Sequence, residues 1–134
     1  MAGEADLSKL LAGMLPVLDP EAYVFATTKD SEAFAHLPAI MRFTEREGET
    51  LILAAPHAAS AALQKSEPYA RITLSVHSAL EAVGFLAAIC SALADKGIST
   101  NAVAVYYHDH IFVPQSRAHD AMVILQDLSA ATTR

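Results

Sequence analysis

Between Glu81 and Asp95 the chain runs AVGFLAAICSALA without a single charge. As a helix, this stretch together with Leu80 puts Leu80, Val83, Leu86, Ala87, Cys90 and Leu93 on one face. Phe85, Ile89 and Ala92 fall on another. A helix that is apolar on two sides is buried on two sides. One side therefore requires a sheet, and the other a second helix or a second subunit.

The flanking segments supply that sheet. Arg71 to Val76 alternates Ile72, Leu74 and Val76 against Thr73, Ser75 and His77, the pattern of a strand with one buried face. Ser78-x-x-Glu81 reads as a capping box, in which the serine hydroxyl takes a free helix N–H and the glutamate reaches back. It predicts a helix from Ser78 to about Lys96, with Gly97 as its left-handed terminator. Ile98 to Tyr107 then has the length of a full strand, His108-Asp109 makes a turn, and His110 to Val113 returns. Consecutive Tyr106 and Tyr107 on that strand are expected on opposite faces, one packed and the other at an interface. Pro114 stops the returning strand, and Ala118 to Leu128 forms a last helix with Ala121, Ile124, Leu125 and Leu128 inward. The order is βαββα. A sheet with no fourth strand keeps an open edge, so a strand from the first half or from a partner chain is expected to cover it.

The first half is separated by Gln64 to Pro68, QKSEP, which divides the chain into units 1–66 and 67–134. Asp6 to Met14 carries Leu7, Leu10, Leu11 and Met14 at helical spacing. Pro16 and Asp19-Pro20 break that helix, and Tyr23 to Thr27 reads as a strand. Lys29 to Pro38 is loop or loose helical turn. A hairpin follows, Met41 to Arg46 and Thr50 to Ala54 around Glu47-Gly48, with Glu45, Glu47 and Glu49 as a solvated acidic tip. His57 to Leu63 is a short helix with Pro56 at its start.

Composition removes several functions. The hydrophobic share of 53% against 18% charge belongs to a folded chain, not a disordered one. No apolar run approaches the roughly 20 residues of a membrane span, and no basic, apolar leader opens the chain, so no membrane partner is expected. The net charge of −6, with no Lys/Arg cluster, argues against nucleic acid. Cys90, the one cysteine, sits within the apolar helix as a small hydrophobe; no internal disulfide is possible, which fits a cytoplasmic location. No G-x-S-x-G, phosphate-cradling glycine loop or G-x-G-x-x-G follows a strand, so no catalytic residue and no cofactor are expected.

The order of elements, with L-E-A-V-G-F-L-A-A-I and A-L-A-D-K-G-I, is similar to the ACT domain across Ser75 to Val113. More narrowly, Y-V-F-A-T-T, E-G-E-T-L-I-L, I-T-L-S-V-H-S-A-L-E-A-V-G and N-A-V-A-V-Y-Y-H-D-H-I-F-V-P resemble a small bacterial family of uncharacterised function with two tandem ACT-like units. The resemblance implies an α+β, ferredoxin-like βαββαβ fold in two small units with shared or swapped strands. It also implies a non-catalytic regulatory module that binds a small molecule, first of all an amino acid, as a homodimer. Many ACT domains carry a glycine in the loop before the first helix; this chain has His77-Ser78-Ala79 there.

In such domains ligands lie beside that loop and the following strand, often at a subunit interface. By position His77, Ser78, Leu80 and Asn101 are the candidate ligand-binding residues. A helix N-terminus attracts a carboxylate, and the Asn101 amide both donates and accepts, as an α-amino acid requires. Two alternatives stand beside this reading. His77, His108 and His110, with Asp109, form a candidate metal set for a small metal-dependent enzyme, against a structural cluster in which Asp109 fixes a histidine tautomer. A structural dimerisation partner of another protein is the other alternative.

Overall fold

The computed structural model describes residues 3–59 and 61–133. Its elements in chain order are α1 (Leu7–Gly13), β1 (Pro16–Thr28), β2 (Ala39–Glu45), β3 (Gly48–Ala54), α2 (Ala55–Ala58), β4 (Gln64–Lys65) and β5 (Tyr69–Leu74). They continue with α3 (Phe85–Ala94), β6 (Asn101–Ala104), β7 (Asp109–Pro114), a 3-10 turn (Gln115–Arg117) and α4 (Ala118–Thr133). Two compact units result, one from Met1–Asp19 with Ala70–Arg134 and the other from Pro20–Tyr69.

The first unit keeps the expected βαββα order in β5, α3, β6, β7 and α4. In its sheet β5 lies between β1 and β7, and β6 is outermost. This is the strand order of a ferredoxin-like sheet, with β1 standing where the fourth strand belongs. The Ser75 N–H donates to the Met14 carbonyl at 2.6 Å, and Arg71 pairs with Asp19 at 2.9 Å, so both ends of this seam are fixed. The cover expected for the open edge therefore comes from the first half of the chain. β6 and β7 pair antiparallel, from Asn101 opposite Phe112 to Ala104 opposite Asp109.

The core of this unit gathers Leu10, Leu11 and Met14 from the α1 region, Ile72 and Leu74 from β5, Phe85, Ile89 and Leu93 from α3, Ile111 and Val113 from β7, and Ala121 and Leu125 from α4. Of the helix expected to be buried on two sides, Phe85, Ile89 and Leu93 are buried and Leu86 is half-buried, whereas Leu80, Val83 and Ala87, expected on a buried face, are exposed. Asp6 caps α1, its carboxylate accepting the Lys9 N–H at 3.0 Å. At the other end of the contact, the Ser129 hydroxyl donates to the Ala12 carbonyl at 2.9 Å.

In the second unit β1 lies between β3 and β4, and β2 is outside β3. The same ferredoxin-like order appears, with β1 now as a central strand. No helix connects β1 to β2; residues 29–38 form successive turns. Arg42 holds them in place by donating to the carbonyls of Phe34, Ala35 and Leu37 at 3.0, 3.3 and 2.8 Å and to Glu49 at 2.9 Å. The acidic hairpin tip is therefore less solvated than expected, since Glu49 is paired with Arg42 and Glu45 accepts from the Thr50 hydroxyl. Gly48 has φ of 151°, and a methyl group there would run into the Thr28 carbonyl, so only glycine fits the turn. Val24, Ala26, Leu51, Leu53, Ala58 and Leu63 form this unit's core.

Four local expectations are corrected. α3 begins at Phe85, not Ser78: Gly84 precedes it with φ of 90°, and no side chain caps it. The capping box fails because the Ser78 hydroxyl is taken by Asp109 and Glu81 is exposed in a turn. The strand expected over 98–107 is reduced to Asn101–Ala104, and the hairpin turns at Tyr106-Tyr107, so those rings share the tip instead of opposite faces. The helix expected over 57–63 is the single turn Ala55–Ala58, apart from Ser60, which lies outside the described residues. α1 does end at Gly13, ahead of Pro16, but the strand expected over Tyr23 to Thr27 starts earlier, with Pro16 and Pro20 accommodated within β1.

Candidate functional site

The segment between β5 and α3 is held as an irregular loop by the start of the chain. The Glu4 N–H donates to the His77 carbonyl, and the Ala79 N–H donates to the Glu4 carbonyl, both at 2.8 Å. These two bonds make a single parallel bridge between Glu4 and Ser78. Gly3 is required beside it, because a Cβ there would lie 2.6 Å from the His77 oxygen. The Glu4 carboxylate accepts the N–H groups of Asp6 and Ala5 at 3.0 Å, and these bonds hold its acid below the usual carboxylate range.

Beneath the loop, Ser78 donates from Oγ to Asp109 Oδ2 at 2.8 Å, and both residues are buried. Two recesses flank this pair. One, of about 100 Å³, is lined by Gly3, His77, Leu80, Glu81 and Tyr106 with the Ser78-Ala79 pair. The other, of about 140 Å³, lies toward the first turn of α3 and is lined by Ser78, Leu80, Phe85, Ala87, Ala104 and Asp109 among others. Around them large apolar side chains stand in solvent: Leu80 is 68% exposed and Val83 83%. The Tyr107 ring lies 5.3 Å from the His77 ring and 4.9 Å from that of Tyr106.

Three of the four residues singled out in the sequence, His77, Ser78 and Leu80, surround these recesses. Asn101 does not line either recess. It is exposed at the far end of β6 from Ala104, opposite Phe112. Sequence reasoning missed Asp109 as a member of this constellation, having placed it in a turn or beside a histidine. One signal was available, an acidic residue opening the otherwise apolar run I-F-V.

The histidines do not converge. Among the described residues no group of three His, Cys, Asp or Glu side chains is placed to hold a metal ion. His108 and His110 have ring centroids 6.4 Å apart, and His77 faces Tyr107. Nor does Asp109 fix a histidine tautomer: its carboxylate accepts the Ser78 hydroxyl, and His110 Nδ1 shares its bond with Thr73 Oγ1 at 3.0 Å. Burial, then the positive charge of Arg71 and the nearness of His108, push the His110 imidazole below its ordinary value. The folded state thus favours neutral His110, and the unfolded chain takes up the proton first as pH falls. Stability from this group is complete above about pH 6.5 and declines as the pH drops toward the lowered folded value. The melting temperature of His110→Gln should fall less between pH 7 and pH 5 than that of the parent. Exposed His119→Gln serves as the control, and parallel pH curves for parent and His110→Gln would contradict this account.

Burial likewise raises the Cys90 thiol, which is half-buried and keeps the character of a small hydrophobe. No helix among the described residues is long and apolar enough to cross a membrane.

Comparison with known proteins adds the following. Two ACT-domain family models match the chain, one over residues 2–70 and the other over residues 67–127. A Vibrio cholerae protein of unknown function, described as a possible transport protein, is 44% identical with a TM-score of 0.83, covering 92% of this chain and 95% of its own. An Agrobacterium tumefaciens protein is 16% identical with a TM-score of 0.67, over 81% of this chain and 84% of its own. The regulatory subunit of aspartate kinase from Thermus flavus is 10% identical with a TM-score of 0.59, over 96% of this chain and 99% of its own. A search of curated proteins found no match.

Proposed function

The chain belongs to the ACT-domain family, with two such domains in tandem, and from that premise we propose that it is a regulatory module that binds a small molecule without transforming it. An amino acid is the first ligand to expect. ACT domains are regulatory as a class, and the Thermus flavus neighbour of similar fold is a regulatory subunit of aspartate kinase. The single observation that carries the reading is the pair of recesses at the β5–α3 loop, where His77, Ser78 and Leu80 come together.

Each assigned residue has a distinct part. The His77 ring and the exposed Tyr107 beside it offer an aromatic wall with a polar edge. Ser78 supplies a hydroxyl oxygen whose own proton is committed to Asp109. Leu80 offers apolar surface that has no cover among the described residues of its unit. Asn101 is an exposed amide on the outer strand β6, suited to a ligand held where a second copy meets that edge. The proposal therefore includes a cytoplasmic homodimer, and it divides the chain by sequence into 1–66 and 67–134.

A thermal-shift screen of amino acids and nucleobases tests it. A ligand present at one hundred times its Kd adds about 2.7 kcal/mol to the unfolding free energy. Stabilisation by at least one amino acid, reduced in His77→Ala, is the expected result. Flat melting curves across the whole set would overturn the proposal.

A further inference from the structure

The recess beside the first turn of α3 holds a carboxylate with no cation next to it, and we infer that this carboxylate, Asp109, receives the primary ammonium group of the ligand. The inference rests on the ligand-binding reading above and names the chemistry of that ligand. Asp109 is 7% exposed, and its hydrogen bond is from a neutral hydroxyl, that of Ser78. The ion pairs among the described residues join Arg42 to Glu49, Arg71 to Asp19 and Arg117 to Asp120, and leave Asp109 out. A carboxylate withdrawn from water is strongly disfavoured unless a positive charge or several donors approach it.

The walls select what that positive charge is carried on. Apart from Ser78 and Asp109, the side chains lining the recess are hydrocarbon, including Leu80, Phe85, Leu86 and Ala104. A calcium ion takes six to eight oxygen ligands and magnesium an octahedron, while zinc takes at least three protein ligands. One carboxylate and one hydroxyl satisfy none of these. An alkylammonium group needs less: Asp109 accepts one N–H, the Ser78 oxygen accepts a second, and the hydrocarbon walls cover the alkyl body. No Lys, Arg or His lines this recess, and the Ala79 N–H is already taken by Glu4, so the groups inside that can meet an acid are the free N–H groups at the start of α3, and the Asp109 carboxylate repels an acid from them. An amino acid would enter amine first, its carboxylate outside. Asp109 is therefore the residue that decides between amines and acids at this site.

The test uses n-butylammonium chloride, sodium butyrate and the amino-acid set, each at matched ionic strength, with binding read by calorimetry and by melting temperature. Butylammonium is expected to bind and stabilise the intact protein, and butyrate to do neither. In Asp109→Asn, which still accepts the Ser78 proton, the Kd for butylammonium should rise about tenfold or more, the scale of a lost hydrogen bond to a charged group. Ala87→Leu changes an exposed helix position on the wall and keeps helix propensity. It should abolish binding by filling the recess while the protein remains folded, so a failure of Asp109→Asn to fold does not shelter the inference. Equal binding of butyrate, or butylammonium binding unchanged in both variants, overturns it. Amino acids that stabilise the parent and Asp109→Asn equally would overturn the ammonium assignment and leave the regulatory reading standing. If neither amines nor amino acids stabilise the parent, both fall.

Discussion

Leu10→Ala is expected to destabilise the unit built around α3 and α4 by about 2–5 kcal/mol, the range for truncating a fully buried leucine. Leu10 has no exposed surface and lies in one cluster with Ile72, Ile89, Ile111 and Leu125, although every other contributor outside the α1 region is at least sixty residues away in sequence. The truncation removes methyl groups that the surrounding side chains do not replace, because α1 is pinned at both ends. Asp6 caps its start, and Ser129 of α4 holds the Ala12 carbonyl at its end. Hydrogen exchange at the Ile111 and Val113 amides under increasing denaturant reads this unit directly. Unchanged protection there would mean that α1 is a dispensable appendage and that the core closes without it.

The second large effect is expected at Ser78. Ser78→Ala removes the hydroxyl that donates to buried Asp109 and leaves a carboxylate out of water with no donor, at a cost of about 2–3 kcal/mol. The hydroxyl itself is a minor term; the stranded charge is the major one. Asp109→Asn should accordingly relieve much of the loss when combined with Ser78→Ala, since a neutral amide is far cheaper to leave in that position than a carboxylate. A double-mutant cycle measured by chemical denaturation gives the coupling. Strict additivity of the two substitutions would show that the bond does not hold the loop to the sheet.

These two sites show where sequence reading succeeds and where it stops. α1 was legible as a helix because Leu7, Leu10, Leu11 and Met14 repeat at its period, yet nothing in residues 6–14 states which half of the chain they will cover. The alternation along β5 and the inward set of α4, Ala121 and Leu125 above all, were legible for the same reason. The start of α3 was not. Ser78-x-x-Glu81 is a sound local signal, but a local cap is worth only about 1 kcal/mol. The same hydroxyl meets a buried carboxylate 31 residues away, and that bond wins. With Ser78 engaged, the loop runs on to Gly84, whose positive φ lets the chain turn into α3. The hairpin turn shifted for a related reason: β7 begins at Asp109 to present that carboxylate, which pushes the turn back to Tyr106-Tyr107. The candidate site divided along the same line. The His77 to Leu80 loop was located by family pattern, whereas Asn101 was expected beside it and stands instead at the opposite end of a short strand.

Period and composition alone determined the alternating strand β5, the apolar helix that demands cover, and the inward face of the last helix. Those features depend on side chains within one or two turns of each other, and any folded arrangement must respect them. The tertiary structure decided which segment supplies the last strand of the sheet, where the helix begins, and that Asp109 lies buried against Ser78. Each of those outcomes is a competition between groups far apart in the chain, settled by whichever arrangement leaves the fewest polar atoms without partners and the least apolar surface in water.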